Sequence, residues 1–303
     1  MDDFNIDLSP MLFYESKPFN SQKHIFELKF DGIRALAYLD KETLLKNKRH
    51  KIINNTYPEL LQIHKQVKKR CILDGEIVLF HKSKPDFFKI QKRSLMENPL
   101  KIKLQSKRYP VTFIAFDIIY YDDKFITDLP LIERKEILKK NIIENKFITI
   151  SRFVENEGIK LFNEVKKMGL EGVVAKDKLS KYFLGVRSKS WLKFKVYEED
   201  DLVICGYLEK ENNTLDLILG RIENNQLIKA ATVNTSKDKK LIKEFASLNP
   251  SKPLFDEVNE GIVWLKPYLV GKVKYMMKTK TGGLRQAIFL GVRDDKTIND
   301  LKK

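Results

Sequence analysis

The residue pattern predicts an α+β chain of two domains, the second of them all-β. Three observations lead there. Val111 to Tyr120 is β-branched and aromatic with one charge, Asp117, the pattern of a strand buried on both faces. Helical periodicity recurs over 131–145, where the outer face is charged, and over 158–168. Past the acidic run Glu198-Glu199-Asp200-Asp201, strand patterns follow one another with a single helix among them. That run reads as a hinge, so the domains are expected at 1–197 and 198–303.

In chain order, residues 1–23 form an extended lead in which Pro10 and Pro18 flank the apolar Met11 to Tyr14. His24 to Lys29 and Ala35 to Leu39 read as strands, with Asp40-Lys41-Glu42 as the following turn. The basic residues Lys46, Lys48, Arg49 and Lys51 form either a solvated turn or a phosphate contact. Pro58 then opens a helix over 59–69, with Leu60, Leu61, Ile63 and Val67 as its apolar stripe.

Ile72 to Phe80 is apolar on both sides of Asp74-Gly75-Glu76, where Asp-Gly suits a hairpin turn. Glu76 falls inside the apolar run, however, and an unpaired carboxylate there is costly, so it must bond something specific. Residues 86–108 suggest a helix and a basic loop before the central strand. Glu171 precedes a short strand ending at Lys176; Phe183 to Arg187 and Trp191 to Lys195 follow, and alternation puts Lys193 and Lys195 on one face. Every charge from Lys181 to Lys195 is a cation. In the second part, strands at 202–208, 215–222, 227–233, 261–264, 269–278 and 284–291 surround one helix at 237–248, the count of a small Greek-key barrel of the OB type.

Composition limits the functions on offer. A net charge of +16, from 57 Lys and Arg against 41 Asp and Glu, points to a polyanionic partner, nucleic acid first. Two cysteines, Cys71 and Cys205, build neither a disulfide framework nor a zinc site, and His24, His50, His64 and His81 lack ligand spacing. The acidic start Met1-Asp2-Asp3 and the lack of a membrane-spanning run give the expectation of a cytoplasmic, nucleoid-associated protein.

The chemistry gathers around Lys29-Phe30-Asp31-Gly32-Ile33-Arg34. Its charges alternate with apolar residues at a strand end, so they face solvent, or one another and a ligand. Glu76, Asp117, Glu171, Lys176, Lys193 and Lys195 are similar misfits in or beside apolar runs. Carboxylates and lysines without His or Cys suit a phosphate chain and an oxygen-ligated divalent cation. A lysine attacks only as the neutral amine, which desolvation and neighbouring cations favour.

In order and spacing, these hexapeptide residues, Asp74-Gly75-Glu76, Phe116-Asp117, Glu171 to Lys176 and Trp191 to Lys195 resemble the nucleotidyltransferase motifs of ATP-dependent DNA ligases. Arg293-Asp294-Asp295-Lys296 is similar to the family's last motif, although Ala287 stands where a proline is common. Ser9 to Leu12, Pro18-Phe19 and Gly283-Leu284-Arg285 make the likeness nearest to the ligase domain of the bacterial ligase D group.

That resemblance implies a nucleotidyltransferase (adenylation) domain of antiparallel sheets with flanking helices, followed by an OB-fold barrel. It implies that Lys29 attacks the α-phosphate of ATP, expels pyrophosphate and carries AMP to the 5′-phosphate of nicked duplex DNA. Glu27 would lie beside the adenine, Phe116 would stack on it and Glu76 would bind the ribose. Lys176, Lys193 and Lys195 would hold the nucleotide, and Arg34 would contact the ribose or the nick phosphate. Lys48, with Arg49 beside it, stands where the family has an arginine for that phosphate. Glu171 and Asp31 would hold Mg²⁺, with Mn²⁺ as an alternative, while Arg293 and Lys296, with Asp295, would close over pyrophosphate. A monomer is expected, and a Ku-like end-joining partner is left open. The alternatives are an RNA ligase, a GTP-dependent capping-type nucleotidyltransferase, or a non-catalytic nucleic-acid-binding relative.

Overall fold

The structure, a computed structural model, describes residues 4, 6–256, 261–279 and 281–301; the acidic start Met1-Asp2-Asp3 lies outside them. The chain separates into two compact units, Met1–Val196 and Tyr197–Lys303.

The first unit runs β1 (Leu12–Glu15), β2 (Ser21–Lys29), β3 (Ile33–Leu39), β4 (Thr43–Asn47), β5 (Cys71–His81), β6 (Lys84–Pro85), α1 (Phe87–Ser94), α2 (Pro99–Arg108) and β7 (Val111–Tyr121). It continues with β8 (Lys124–Phe125), α3 (Leu131–Asn141), β9 (Ile148–Ile150), β10 (Phe153–Asn156), α4 (Gly158–Lys167), β11 (Gly172–Asp177) and β12 (Arg187–Lys195). Two sheets result. One has the order β1-β12-β11-β2-β10; the other has β4-β3-β5-β7-β8, with β6 added to β5 and β9 to β7.

Alternation decides what lies between the layers. Phe26, Val173, Ala175 and Phe194 face away from the second sheet and pack with Val165 of α4. Ile25 and Trp191, on the opposite face, join Leu36, Tyr38, Ile72, Phe116 and Ile119 of the second sheet in one core. Behind the second sheet, Ala35, Leu73, Ile77 and Phe113 pack with Ile90 of α1 and Leu138 of α3. Charged residues on the inner faces are therefore confined between two sheets.

Several expectations are corrected here. The helix at 59–69 is two 3₁₀ turns, Pro58–Leu60 and Ile63–Gln66, because the N–H of His64 donates to Thr43 Oγ1 at 3.1 Å instead of continuing a helical ladder. Residues 86–108 hold two helices, started by Asp86 and by Asn98-Pro99, whose side chains accept from Lys89 N and Lys101 N. Asp74-Gly75 is no hairpin turn but the middle of β5. The helix at 131 stops at Asn141, and its Arg134 and Lys135 point inward rather than to solvent.

The second unit contains β13 (Glu198–Glu209), β14 (Leu215–Glu223), β15 (Gln226–Thr235), α5 (Lys239–Leu248), β16 (Val263–Trp264), β17 (Val270–Tyr275), β18 (Met277–Lys278), β19 (Leu284–Arg285) and β20 (Ile288–Arg293). Its main sheet has the order β15-β14-β13-β17-β20, with β16 on β13. Leu202, Leu217, Leu219, Val273 and Phe289 form its core with Ile242 and Ala246 of α5, giving the expected OB fold. The acidic run is not an open hinge. Glu198 to Asp201 begins β13, paired in register with Tyr275 to Lys272 of β17.

Candidate active site

Sheet register assembles the site. Gly172 of β11 lies directly between Lys29 of β2 and Lys195 of β12, and Val174 lies between Glu27 and Lys193. Lys176 is likewise flanked by Ile25 and Trp191. Residues opposite one another share a face, so Glu27, Lys29, Lys176, Lys193 and Lys195 all face the second sheet. Gly172 has no substitute here: a Cβ there would come within 2.1 Å of the carbonyl oxygen of Phe194. Its missing side chain leaves the space between Lys29 and Lys195.

The second sheet supplies the opposite wall. Arg34 pairs with Glu76 across β3 and β5, and the β5–β7 register slips between Asp74 and Gly75 so that Phe116 is the extra residue. A bulge of this kind re-aims a side chain. Phe13, Glu27, Lys29, Arg34, Glu76, Phe116 and Lys176 line one cleft. Gly32 lets the turn between β2 and β3 lie on β5, since a Cβ there would meet Ile77 O at 2.3 Å.

Lys29 Nζ lies 2.7 Å from Glu171 Oε1. Lys193 and Lys195 are both held below the usual lysine range, first by burial and then by neighbouring cations, Lys29 among them. Burial pushes the Glu76 carboxyl up to about 8 even though Lys29 and Arg34 pull it down. Near neutral pH this group is therefore a neutral acid, able to donate a hydrogen bond.

Deeper in the cleft, Glu27 is buried and accepts from Lys176 Nζ at 2.9 Å and from Lys135 Nζ. Lys176 also stands 4.4 Å from the Phe116 ring centre and 4.3 Å from that of Trp191. Burial lowers its ammonium to about 8, with Lys135 adding to the effect and Glu27 opposing it. Lys135 escaped the sequence reading; the available signal was a second cation beside Arg134 on a helix whose apolar stripe is poor.

Two expected roles look different in place. Arg34 directs Nε and Nη2 onto Asp74 at 3.0 and 2.6 Å, and Tyr182 Oη donates to the same carboxylate at 2.6 Å. Its fork is thus committed to Asp74 while the residue lines the cleft. Asp117, one of the misfits, is a buried structural partner of Arg134, bonded at 2.8 and 2.9 Å.

Lys48 and Arg49 lie exposed at the turn after β4 and line no part of the cleft; Lys46 beside them is tied to Asp7 at 2.7 Å. Among the described residues no three His, Cys, Asp or Glu side chains gather as a metal cluster. A divalent ion beside Glu171 would therefore take most of its ligands from a triphosphate and water.

In the second unit, Arg293 is bidentate to Asp295 at 2.6 and 2.6 Å and reaches Asp201 at 3.0 Å. Lys296 Nζ donates to the same Asp201 at 2.5 Å. The Arg293 bonds lower the Asp295 carboxyl to about 2. Asp201, read as part of a hinge, is the carboxylate that holds both Arg293 and Lys296.

Two packed sheets that confine a lysine-rich face, followed by an OB fold, are the architecture of a ligase-type nucleotidyltransferase. The family model described as "ATP dependent DNA ligase domain" matches residues 11–195, and "ATP dependent DNA ligase C terminal region" matches 210–296. The chain belongs to the ATP-dependent DNA ligases. It is 30% identical to the SPbeta prophage-derived DNA ligase-like protein LigB of Bacillus subtilis, over 92% of this chain and 96% of that one. It is 28% identical to the multifunctional non-homologous end joining protein LigD of Mycolicibacterium smegmatis, covering 97% of this chain but only 39% of that protein. A solved mycobacterial DNA ligase D complexed with ATP and MES superposes with a TM-score of 0.59 at 26% identity, covering 100% of both chains.

Proposed function

We propose that this ligase seals nicks in duplex DNA through a lysyl-AMP intermediate on Lys29. The observation that carries the reading is the Lys29–Glu171 pair, set in one face with Lys193 and Lys195. Lys29 Nζ attacks the α-phosphorus of ATP; a P–N bond forms, the bond to the β-phosphate oxygen breaks, and pyrophosphate leaves. Glu171, in contact with the amine, orients it, and burial with the cations Lys193 and Lys195 favours the neutral form that attacks, its proton passing to water. Lys193 and Lys195 face the negative charge that builds on the α-phosphoryl oxygens.

Phe116 and the Lys176-anchored Glu27 receive the adenine, and neutral Glu76 hydrogen-bonds the ribose. Glu171 and Asp31 would hold Mg²⁺ or Mn²⁺, which when bound neutralises charge on the triphosphate. Arg293 and Lys296 of the OB unit contact the departing pyrophosphate. An oxygen of the nick's 5′-phosphate then displaces Lys29 from AMP, and the 3′-hydroxyl displaces AMP to close the strand. Because the ligase D relative is an end joining protein, repair of DNA breaks is the setting we favour.

The test is labelling with Mg²⁺ and α-³²P-ATP or α-³²P-GTP, followed by a chase with nicked DNA or nicked RNA. The expected result is a covalent adduct from ATP that passes to nicked DNA and is absent in Lys29→Ala. Label from GTP alone, transfer only to RNA, or no adduct would overturn the reading.

A further inference from the structure

Behind the second sheet, α1 and α2 enclose another cleft, of about 490 Å³. Its floor includes Leu79, which belongs with Ile90 of α1 to the core on the side of that sheet away from Lys29. Lys89, Lys92 and Arg93 line it from α1 and Lys101 from α2. From Phe87 to Tyr109 the chain carries seven cations against one carboxylate, Glu97. The chemistry proposed above uses none of them.

Two of the four lining cations are held in place and two are spare. Arg93 is buried and donates from Nε to Thr56 O at 2.9 Å and from Nη2 to Glu59 at 3.0 Å, yet its Nη1 is buried with no partner. A buried donor left unsatisfied is uncommon and costly. Lys89 lies 3.6 Å from Asp86 and 4.7 Å from the Tyr109 ring centre. Lys92 and Lys101 are exposed and meet no carboxylate among the described residues. Apolar side chains surround these charges. Leu104 lines the cleft at 59% exposure, Leu100 one turn before it is 66% exposed, and Leu95 in the α1–α2 connection is 76% exposed. Half-buried Met96, a side chain that adapts to varied partners, lines the cleft as well. Large exposed apolar groups gathered in one place mark an interaction surface.

We propose that this cleft docks an acidic, leucine-bearing segment of a partner protein, with carboxylates on Lys92 and Lys101 and an apolar side chain packed on Leu104 and Met96. A phosphate chain or a DNA backbone satisfies the cations but has no use for exposed leucines. A segment that alternates carboxylates with apolar anchors uses both. The walls stand ready for it, because the Asp86 and Asn98 caps fix the starts of α1 and α2 and so reduce the ordering cost of binding.

Fluorescence anisotropy of two labelled synthetic peptides tests this: one with a pair of leucines a helical turn apart among Asp and Glu, the other with serine in place of both leucines. The full chain should bind the first saturably and the second about fivefold more weakly. Lys92→Glu/Lys101→Glu should weaken the first by about tenfold or more. Lys103→Glu/Lys107→Glu reverses the same charge on the other flank of α2, where a separate groove lies, and should cost less than about threefold. Leu104→Ser should cost about fivefold with the salt dependence unchanged. Urea midpoints should match wild type in all three variants, since each substituted side chain is exposed. Equal losses in the two charge-reversal variants, or equal affinity for the two peptides, would overturn the proposal and reduce the site to diffuse charge. No saturable binding of either peptide, with nicked-duplex or phosphatidylglycerol-vesicle binding lost in Lys92→Glu/Lys101→Glu, would overturn it in favour of those surfaces.

Discussion

Lys29 Nζ meets Glu171 Oε1 at 2.7 Å directly beside Gly172, the residue that pairs with Lys29 across β2 and β11. The strand register that brings the amine to the carboxylate also empties the space above Gly172. If Glu171 orients the amine and holds the divalent ion, Glu171→Gln should slow lysyl-AMP formation by about 10²-fold or more and raise the Mg²⁺ concentration at which it is half-maximal. Single-turnover labelling across a Mg²⁺ titration measures this; a wild-type rate would remove Glu171 from the step.

Lys135 and Lys176 both donate to the buried Glu27. Lys135→Met leaves Glu27 one partner, so the expected cost is about 1–3 kcal/mol of stability in urea unfolding. With a neighbouring cation gone, the Lys176 ammonium should titrate above its present value of about 8. If Glu27 faces the adenine as proposed, the KM for ATP should rise about tenfold with a smaller change in kcat, because Glu27 loses one of the two lysines that orient it.

Glu76 titrates near 8 because burial disfavours its charge. Its folded value lies above the ordinary one of 4.5, so the folded chain binds more protons between those values and loses stability as pH rises through them. Glu76→Gln never ionises. Its advantage in Tm over wild type should be small at pH 4.5, grow as pH rises and level off above about 8, reaching about 10–20 °C. A gap that does not change with pH would contradict the assignment.

Asp201 holds both Arg293 and Lys296. If Arg293 and Lys296 act on pyrophosphate as proposed, Asp201→Asn should loosen the pair and slow lysyl-AMP formation about tenfold. Because Asp295 titrates at about 2, it stays ionised at every pH used for assay and adds no pH dependence of its own. Rapid-quench labelling at pH 6 and pH 8 would measure both effects.

How much of this was legible depends on the range of the interaction. The strand holding Phe116 and the face shared by Lys193 and Lys195 follow from hydrophobic pattern alone, because period-two alternation is local. The turns at 58–66 were misread as a helix because the competing acceptor, Thr43 Oγ1, belongs to another strand. Asp201 was misread because an acidic run shows nothing in sequence of the Arg293 and Lys296 that neutralise it.

The sequence by itself determined the two-part fold, the family, and the set of charges too costly to bury without partners. Which charge meets which was decided only by tertiary structure. Arg34 bonds Asp74, Asp117 bonds Arg134, and Glu27 takes two lysines, one from a helix read as solvent-facing. The reason is physical. A carboxylate between two sheets can be satisfied by any cation within about 3 Å, and that distance is set by sheet register and packing, which join residues far apart in the chain.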